Sequence, residues 1–261
     1  MSELIASNES EELNLRHADE PRRAAPRPAR IAIDRSFWMW VFGGALATIV
    51  VGVVYAHYLQ RTYGWLHGHA WEIALLRDTH TRLPTLVDEL VLVLPWFGTN
   101  ITILPGIAIA SYILAKRKRR DLITVLVVAA AGNYLIAFFL KYALNRPRPT
   151  LFLARGEYTG PSYPSGHAML ATSVLFVVAY LLRRERNWRW PYYVVFIFGL
   201  LTVYSRLYLG VHWPSDVLAG AVLGLLWLTA MLRAMDARSE ELITFGRRRS
   251  VGETPTEPVT A

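Results

Sequence analysis

Three short groups of residues in the second half of the chain carry side chains suited to phosphoryl transfer. The first group holds Lys141 and Arg148, the second is Pro-Ser-Gly-His at residues 164–167, and the third is a Ser-Arg…His…Asp pattern at residues 205–216. Lysine supplies a compact positive charge, and arginine supplies a planar fork of donors that matches phosphate oxygens. The three groups together point to a site that binds a phosphate group.

The positive charge of such a site would come from Lys141, Arg148 and Arg206. Ser165 and Gly166 precede an apolar run, and the start of a helix there would offer unpaired N–H groups. Glycine also allows an anion to approach the backbone closely. These five residues are therefore the candidate phosphate-binding residues.

Two histidines and an aspartate could supply the chemistry. His212 and Asp216 are four residues apart, a spacing that predicts contact on a helical turn. A carboxylate at one imidazole nitrogen fixes the tautomer and leaves the other nitrogen free to attack phosphorus. His167 could then protonate the leaving oxygen as a general acid. The set predicts phosphoryl transfer through a histidine without a metal ion.

Long uncharged segments must position these residues. Hydrophobic residues make up 53% of the 261-residue chain and charged residues only 18%, less charge than a soluble domain usually carries. About twenty apolar residues in a helix cross a bilayer. The sequence therefore predicts an all-α, polytopic membrane helical bundle with six transmembrane helices, around residues 37–56, 97–115, 122–140, 167–182, 190–205 and 217–232.

Lysines and arginines predict the orientation of these spans. Basic residues are concentrated at 116–120, 183–189 and 233–249, and six spans place all three groups on one side. The positive-inside rule makes that side cytoplasmic. Both termini are then cytoplasmic, in an inner or plasma membrane, and the candidate site faces the extracytoplasmic side. The net charge of +8 is explained by these loops, so nucleic acid is not predicted as a partner.

The remaining segments are polar. Residues 60–96 mix apolar and charged side chains, which predicts one or two amphipathic helices at the outer interface, with an exterior loop as the alternative. Residues 1–35 combine acids, arginines and prolines and are predicted to be a disordered cytoplasmic tail. The domain prediction is that tail, a six-span domain at 36–235 and a cytoplasmic tail at 236–261.

The three groups, taken together, resemble the signature of the type 2 phosphatidic acid phosphatase family, over about residues 35–235. Its superfamily also contains bacterial acid phosphatases and vanadium haloperoxidases. The resemblance implies a six-span bundle with an outward site and metal-independent activity, with no cofactor. It implies His212 as nucleophile, Asp216 as its partner and His167 as general acid. The implied phosphate-binding residues are Lys141, Arg148, Ser165, Gly166 and Arg206.

The predicted function is an integral membrane phosphatase acting on a lipid phosphate from the bilayer, through a phosphohistidine. By resemblance, the candidate substrates are polyprenyl diphosphate such as undecaprenyl diphosphate, phosphatidylglycerol phosphate and phosphatidic acid. A lipid phosphotransferase would use the same intermediate, and the sequence does not separate the two. A vanadate-dependent haloperoxidase is disfavoured because those enzymes are soluble. A lipid transporter or binding protein would not need the nucleophile.

Several residues outside the signature are interpreted more simply. Arg146 is predicted to contact the surface or a lipid headgroup. His67 and His69 are interpreted as interfacial histidines rather than a metal pair. Gly220 and Gly224 form a small-xxx-small face, predicted to be a helix-packing site, with a homodimer contact as the alternative.

Overall fold

The computed structural model describes residues 29–65, 68–80, 85–152 and 160–251. The predicted N-terminal tail therefore lies largely outside the described residues, as do residues 252–261. All regular structure in the described part is helical, which confirms the all-α prediction. The α-helices are α1 (Arg35–Tyr63), α2 (Ala70–Thr79), α3 (Thr85–Val93), α4 (Asn100–Lys116), α5 (Arg120–Leu144), α6 (Gly166–Thr172), α7 (Val174–Arg186), α8 (Trp190–Tyr208) and α9 (Pro214–Val251), with a 3-10 helix at Leu94–Gly98 between α3 and α4.

Four helical segments of the described chain are long and apolar enough to cross a membrane, so the chain is a multi-pass membrane protein. They are α1, α5, α6 with α7, and the first part of α9 as far as Asp236. Residues 91–98 and 101–116 form a fifth candidate if this pair, bent by 49°, is one span. Helix α8 is not among them, because Arg206, Trp190, Pro191 and four tyrosines lower its hydropathy.

Helices α1, α5 and α9 pack around a shared apolar core. Phe37, Leu140, Leu223 and Trp227 are almost completely buried there. Many apolar side chains of α1 and α8 are instead exposed, such as Phe42 on α1. Exposed apolar surface of this extent suits contact with lipid. Within a membrane, helices are held together mainly by close van der Waals packing, as in the core of this bundle.

Two glycines allow α9 to approach α6 closely. A Cβ atom at Gly220 would lie 2.3 Å from the carbonyl oxygen of Ser165. A Cβ at Gly224 would lie 2.0 Å from Oγ1 of Thr172. Both distances are far below van der Waals contact, so the predicted small-xxx-small face is a packing contact within the chain, and it brings the Pro-Ser-Gly-His segment against α9.

The predicted fourth helix is interrupted in the structure. Helix α6 ends at Thr172 and α7 begins at Val174, and the backbone of Ser173 departs from helical geometry between them (φ −115°, ψ −75°). The Ser173 hydroxyl is buried and donates to Asn133 Oδ1 on α5 at 3.0 Å or to the Met169 carbonyl at 2.7 Å. A polar serine within an apolar run is therefore accommodated by a polar partner on the neighbouring helix.

The segment between α1 and α4 is fastened to the end of the bundle that holds the signature residues. The indole Nε1 of Trp65 donates to the Leu144 carbonyl at 3.0 Å. His80 Nδ1 lies 2.9 Å from the Tyr208 carbonyl, and the Tyr208 hydroxyl donates to Asp88. Residues 60–96, for which one or two amphipathic helices were predicted, thus contain the helices α2 and α3.

The opposite end of the bundle is closed by an ion cluster. Arg119 contacts Asp121 at 2.8 Å and Glu185 at 2.6 Å. Asp121 also accepts a hydrogen bond from the backbone N–H of Ile31 at 2.9 Å. The cluster therefore links the start of α5, the end of α7 and the segment that leads into α1.

Candidate active site

Lys141 and Arg148 reach the site from the end of α5. The helix ends at Leu144, and the left-handed backbone of the next residue, Asn145 (φ 46°), turns the chain away from the helix axis. Lys141 Nζ donates to the Pro161 carbonyl at 2.8 Å. Arg148 donates through Nη1 to the Val211 carbonyl at 2.7 Å. These backbone contacts hold both cations against the segments that carry the other two groups.

Ser165 and Gly166 lie at the start of α6, as predicted. The backbone N–H of Ser165 donates to the Asp216 carbonyl oxygen at 3.0 Å, which joins the second group to the third. The hydroxyl of Ser165 is buried and has no hydrogen-bond partner among the described residues. A Cβ atom at Gly166 would meet no atom within 4 Å. A polar group and open space thus lie side by side.

His212 lies between a carboxylate and a guanidinium. Its Nδ1 is 3.7 Å from Asp216 Oδ2, and its Nε2 is 3.5 Å from Arg148 Nη1. The first distance places the carboxylate beside the ring but is too long for a hydrogen bond. His212 precedes α9, which begins at Pro214, so the predicted helical turn does not explain the approach. Instead, Asp216 Oδ2 accepts the backbone N–H of Trp213 at 2.9 Å and folds the chain back.

Burial and positive neighbours keep the His212 imidazole neutral. Its side chain is only 4% exposed. Burial lowers the pKa of His212 well below 6.5, and the positive charges of Lys141, Arg148 and Arg206 lower this pKa further. A neutral imidazole has a nitrogen lone pair, which a nucleophile requires. The positive charges of all three predicted cations thus act on the same imidazole ring.

His167 and Arg206 complete the site from α6 and α8. His167 Nε2 lies 3.2 Å from the carbonyl oxygen of Pro95 in the 3-10 helix. The ring also sits beside Gly98, where a Cβ atom would be 2.6 Å from its Cδ2. Arg206 is fully buried, with Nε and Nη2 each 3.3 Å from Ser205 Oγ. The contact of His167 with the 3-10 helix was not predicted from the sequence.

The prediction for Arg146 is wrong. Arg146 is 1% exposed and does not lie at the surface. Its Nη1 donates to Asp216 Oδ1 and to Ser215 Oγ, both at 2.7 Å. Its guanidinium lies between the indole rings of Trp65 and Trp213, at 5.2 and 5.6 Å from their centroids. Aromatic faces and a carboxylate replace the water that a surface arginine would need.

Glu72 is a buried residue that sequence reasoning placed on an amphipathic helix without assigning it a role. It is 1% exposed, and its Oε1 accepts the backbone N–H and the hydroxyl of Ser215. Its Oε2 lies 3.5 Å from Arg146 Nη2. The sequence signal available was the spacing of His69 and Glu72, which form a capping box at the start of α2. That signal predicts a helix start but not burial.

Comparisons with known proteins identify the family. The model of the PAP2 superfamily matches residues 122–240. An undecaprenyl-diphosphatase of Sulfolobus acidocaldarius is 33% identical over 154 residues, covering 56% of this chain and 68% of the relative. The chain belongs to the PAP2 superfamily. Phosphatidylglycerophosphatase B of Bacillus subtilis is 32% identical to this PAP2 chain over 148 residues, covering 51% of the chain and 72% of the relative.

The PAP2 fold is shared with solved structures. A transmembrane PAP2 type phosphatidylglycerolphosphate phosphatase from Bacillus subtilis superposes with a TM-score of 0.62 at 24% identity, over 72% of this chain and 93% of that structure. Aquifex aeolicus LpxE superposes with a TM-score of 0.53, also at 24% identity, over 63% of this chain and 96% of that structure. The solved structures show the shared fold, and the family model and the sequence relatives confirm the sequence-based family assignment.

Proposed function

We propose that this PAP2 chain is an integral membrane phosphatase that hydrolyses a lipid phosphate through a phosphohistidine on His212. The main support for this proposal is that buried His212 has Asp216 near Nδ1 and Arg148 near Nε2. With a proton on Nδ1, the lone pair of Nε2 points toward the cations. A phosphate held by those cations would lie in front of the attacking nitrogen.

In the first step, His212 Nε2 attacks phosphorus and forms an N–P bond. The bond between phosphorus and the leaving oxygen of the lipid breaks, and its electron pair stays on that oxygen. His167 donates a proton to the leaving oxygen, which departs as a lipid alcohol or a lipid monophosphate. For this transfer, His167 Nε2 must exchange its contact with the Pro95 carbonyl for one with the substrate.

In the second step, water attacks the phosphohistidine and His167 takes the proton of that water. The N–P bond breaks, inorganic phosphate leaves, and His212 returns to its neutral form. In both steps, Lys141, Arg148 and Arg206 offset the negative charge on the phosphoryl oxygens, and the unpartnered hydroxyl of Ser165 donates to one of them.

The relatives and the membrane setting support the proposed substrate class. The relatives compared above are named for undecaprenyl diphosphate and for phosphatidylglycerophosphate. We propose a polyprenyl diphosphate as the preferred substrate, with phosphatidylglycerol phosphate and phosphatidic acid as the other candidates. The exposed apolar side chains around the bundle would keep the lipid tail in the bilayer while its phosphate enters the site.

We extend the proposal to topology. Helix α8 would also cross the membrane, as the fifth of six spans along the chain, and α2 and α3 would lie at the outer interface. The predicted tails at 1–35 and 236–261 would be cytoplasmic, flanking a domain at 36–235. The site would then face outward. The chain has no cysteine, so Arg77→Cys and Lys118→Cys can each be labelled specifically in intact cells. An impermeant maleimide should label Arg77→Cys but not Lys118→Cys. The opposite labelling pattern would show that the chain has the reverse orientation.

The decisive experiment measures phosphate release by detergent-purified protein, with EDTA present, from the three candidate lipids. Wild type should release phosphate. The rate for His212→Gln should be lower by a factor of at least about a thousand, because the nucleophile is gone. His57→Gln is the matched control, since His57 is exposed on α1. Turnover by His212→Gln near the wild-type rate would remove His212 as the nucleophile.

A further inference from the structure

A chain of polar contacts leads from α2 to the back of the site. Glu72 accepts from the hydroxyl of Ser215 and lies 3.5 Å from Arg146. Arg146 donates to Asp216 Oδ1 at 2.7 Å, and Asp216 Oδ2 lies 3.7 Å from His212 Nδ1. Glu72 thus reaches the proposed nucleophile through two intermediate residues and touches neither the ring nor the open space beside Gly166.

The positive and negative charges in this chain of contacts do not cancel. Arg146 carries one positive charge and is shared between two carboxylates, those of Glu72 and Asp216. The three groups therefore carry a net charge of −1 behind the imidazole, in a region where each is at most 1% exposed. Buried charges interact strongly because little water screens them.

The reacting ring gains a charge that matches this excess. When Nε2 of His212 bonds to phosphorus, the ring keeps its Nδ1 proton and becomes positively charged. A net negative group behind Nδ1 stabilises that cation. Without the Glu72 charge, Arg146 and Asp216 would form a neutral pair, and the guanidinium would be paired with the carboxylate of Asp216 alone.

We infer that Glu72, outside the three signature groups, is a positioning residue that keeps Arg146 shared and leaves Asp216 with negative charge for His212. This inference rests on the proposed phosphohistidine. It assigns the short helix α2 a part in the rate of phosphorylation, whereas the three signature groups contain no residue from that part of the chain.

A simpler role for Glu72 is to cap its own helix. Its Oε2 also accepts the backbone N–H of His69 at 2.9 Å as part of the capping box. Glutamine serves that position as well as glutamate does. Glu72→Gln therefore keeps the capping residue type and an oxygen acceptor but removes the charge, so a role limited to capping predicts an unchanged rate of phosphorylation.

The test is a rapid-quench measurement of acid-labile, alkali-stable phosphoenzyme in detergent, with undecaprenyl diphosphate radiolabelled in its terminal phosphate. Glu72→Gln should slow phosphoenzyme formation by about 10- to 100-fold. The inhibition constant of inorganic phosphate should stay within about threefold of wild type, because the phosphate-binding cations are untouched. Asp78→Asn is the matched control, since Asp78 is exposed on the same helix.

A second variant covers the case in which Glu72→Gln does not fold. Ser215→Ala removes the hydroxyl that links Glu72 to Arg146 without changing any charge. It should slow phosphoenzyme formation by a smaller factor, about 3- to 10-fold, with an unchanged inhibition constant for inorganic phosphate. If folded Glu72→Gln, or Ser215→Ala in its place, matches Asp78→Asn, the positioning role is overturned.

Failure of the proposed function gives a different result. Wild type would then form no acid-labile phosphoenzyme, or His212→Gln would form one. Both of those outcomes remove the intermediate itself and the inference with it. A normal phosphoenzyme in wild type, its absence in His212→Gln and no effect of Glu72→Gln would retain the function and reject the role of Glu72 alone.

Discussion

The two ends of the bundle use the same arrangement of charges for different purposes. At the end that the proposed topology places outside, called the outer end, Arg146 lies between Glu72 and Asp216. At the opposite end, called the inner end, Arg119 lies between Asp121 and Glu185. Each is one guanidinium between two carboxylates drawn from distant parts of the chain. The composition is the same, so the difference between the two clusters must come from their surroundings.

Burial separates the two clusters. The outer three side chains are 0–1% exposed, whereas Arg119, Asp121 and Glu185 are 11%, 7% and 19% exposed. Removing one partner of a buried ion pair costs about 3–5 kcal/mol, because a charge is left without compensation. Solvent-exposed pairs contribute about 0–1 kcal/mol, and the less deeply buried inner cluster falls between these two limits. The outer cluster can therefore hold a fixed geometry beside His212, while the inner cluster serves as a tie between segments.

The largest expected difference comes from neutralising the matching carboxylates. Asp216→Asn should lower turnover by roughly a thousandfold or more, because the neutral amide neither orients nor stabilises the His212 ring. Asp121→Asn removes the corresponding carboxylate of the inner cluster and should leave turnover within about threefold of wild type. Phosphate release from undecaprenyl diphosphate checks both. Equal losses would mean that the clusters do not differ in function.

Replacing the central arginines should give a smaller contrast. Arg146→Lys cannot contact two carboxylates and Ser215 together, so turnover should fall by about 100-fold. Arg119→Lys should change turnover by less than about threefold, with a small decrease in Tm. Turnover and thermal unfolding in detergent measure the two effects. A near-normal rate for Arg146→Lys would show that charge alone suffices at the outer cluster.

The smallest expected effect is a pH dependence of Tm that arises from His212, at the outer end of the bundle. The folded protein lowers the pKa of His212 below 6.5, so the unfolded chain binds a proton first as the pH falls. The stability from neutral His212 is complete above the ordinary pKa and is lost below it, by about 1 kcal/mol at about pH 5.5. Between about pH 7.5 and 5.5, Tm should fall about 2–4 °C more in wild type than in His212→Gln. Parallel decreases would contradict the lowered pKa.

The positions of the helices could be predicted from the sequence because apolar runs reveal them directly. The run at 122–140 corresponds to α5, Arg120–Leu144, and the run at 190–205 to α8, Trp190–Tyr208. The break at Ser173 was not predicted, and neither was the contact of its hydroxyl with Asn133 of another helix. A single segment gives no information about such a partner.

The signature groups could likewise be found by residue type and order, but not their supporting contacts. Arg146 was misplaced because a lone arginine near a helix end usually faces lipid headgroups or water. Its burial requires Trp65, Glu72 and Asp216, which are up to 81 residues away in the chain. These contacts arise only when α2 folds against the start of α9.

The hydrogen bond from the Ser165 N–H to the Asp216 carbonyl has a consequence for divergence among PAP2 proteins. It joins two signature segments through main-chain atoms, which every amino acid except proline can supply at the donor position. Side chains elsewhere on α6 and α9 can therefore change over evolutionary time while this bond persists. The surface proposed to meet the lipid tail could therefore vary while the main chain keeps the two signature segments of the proposed site together.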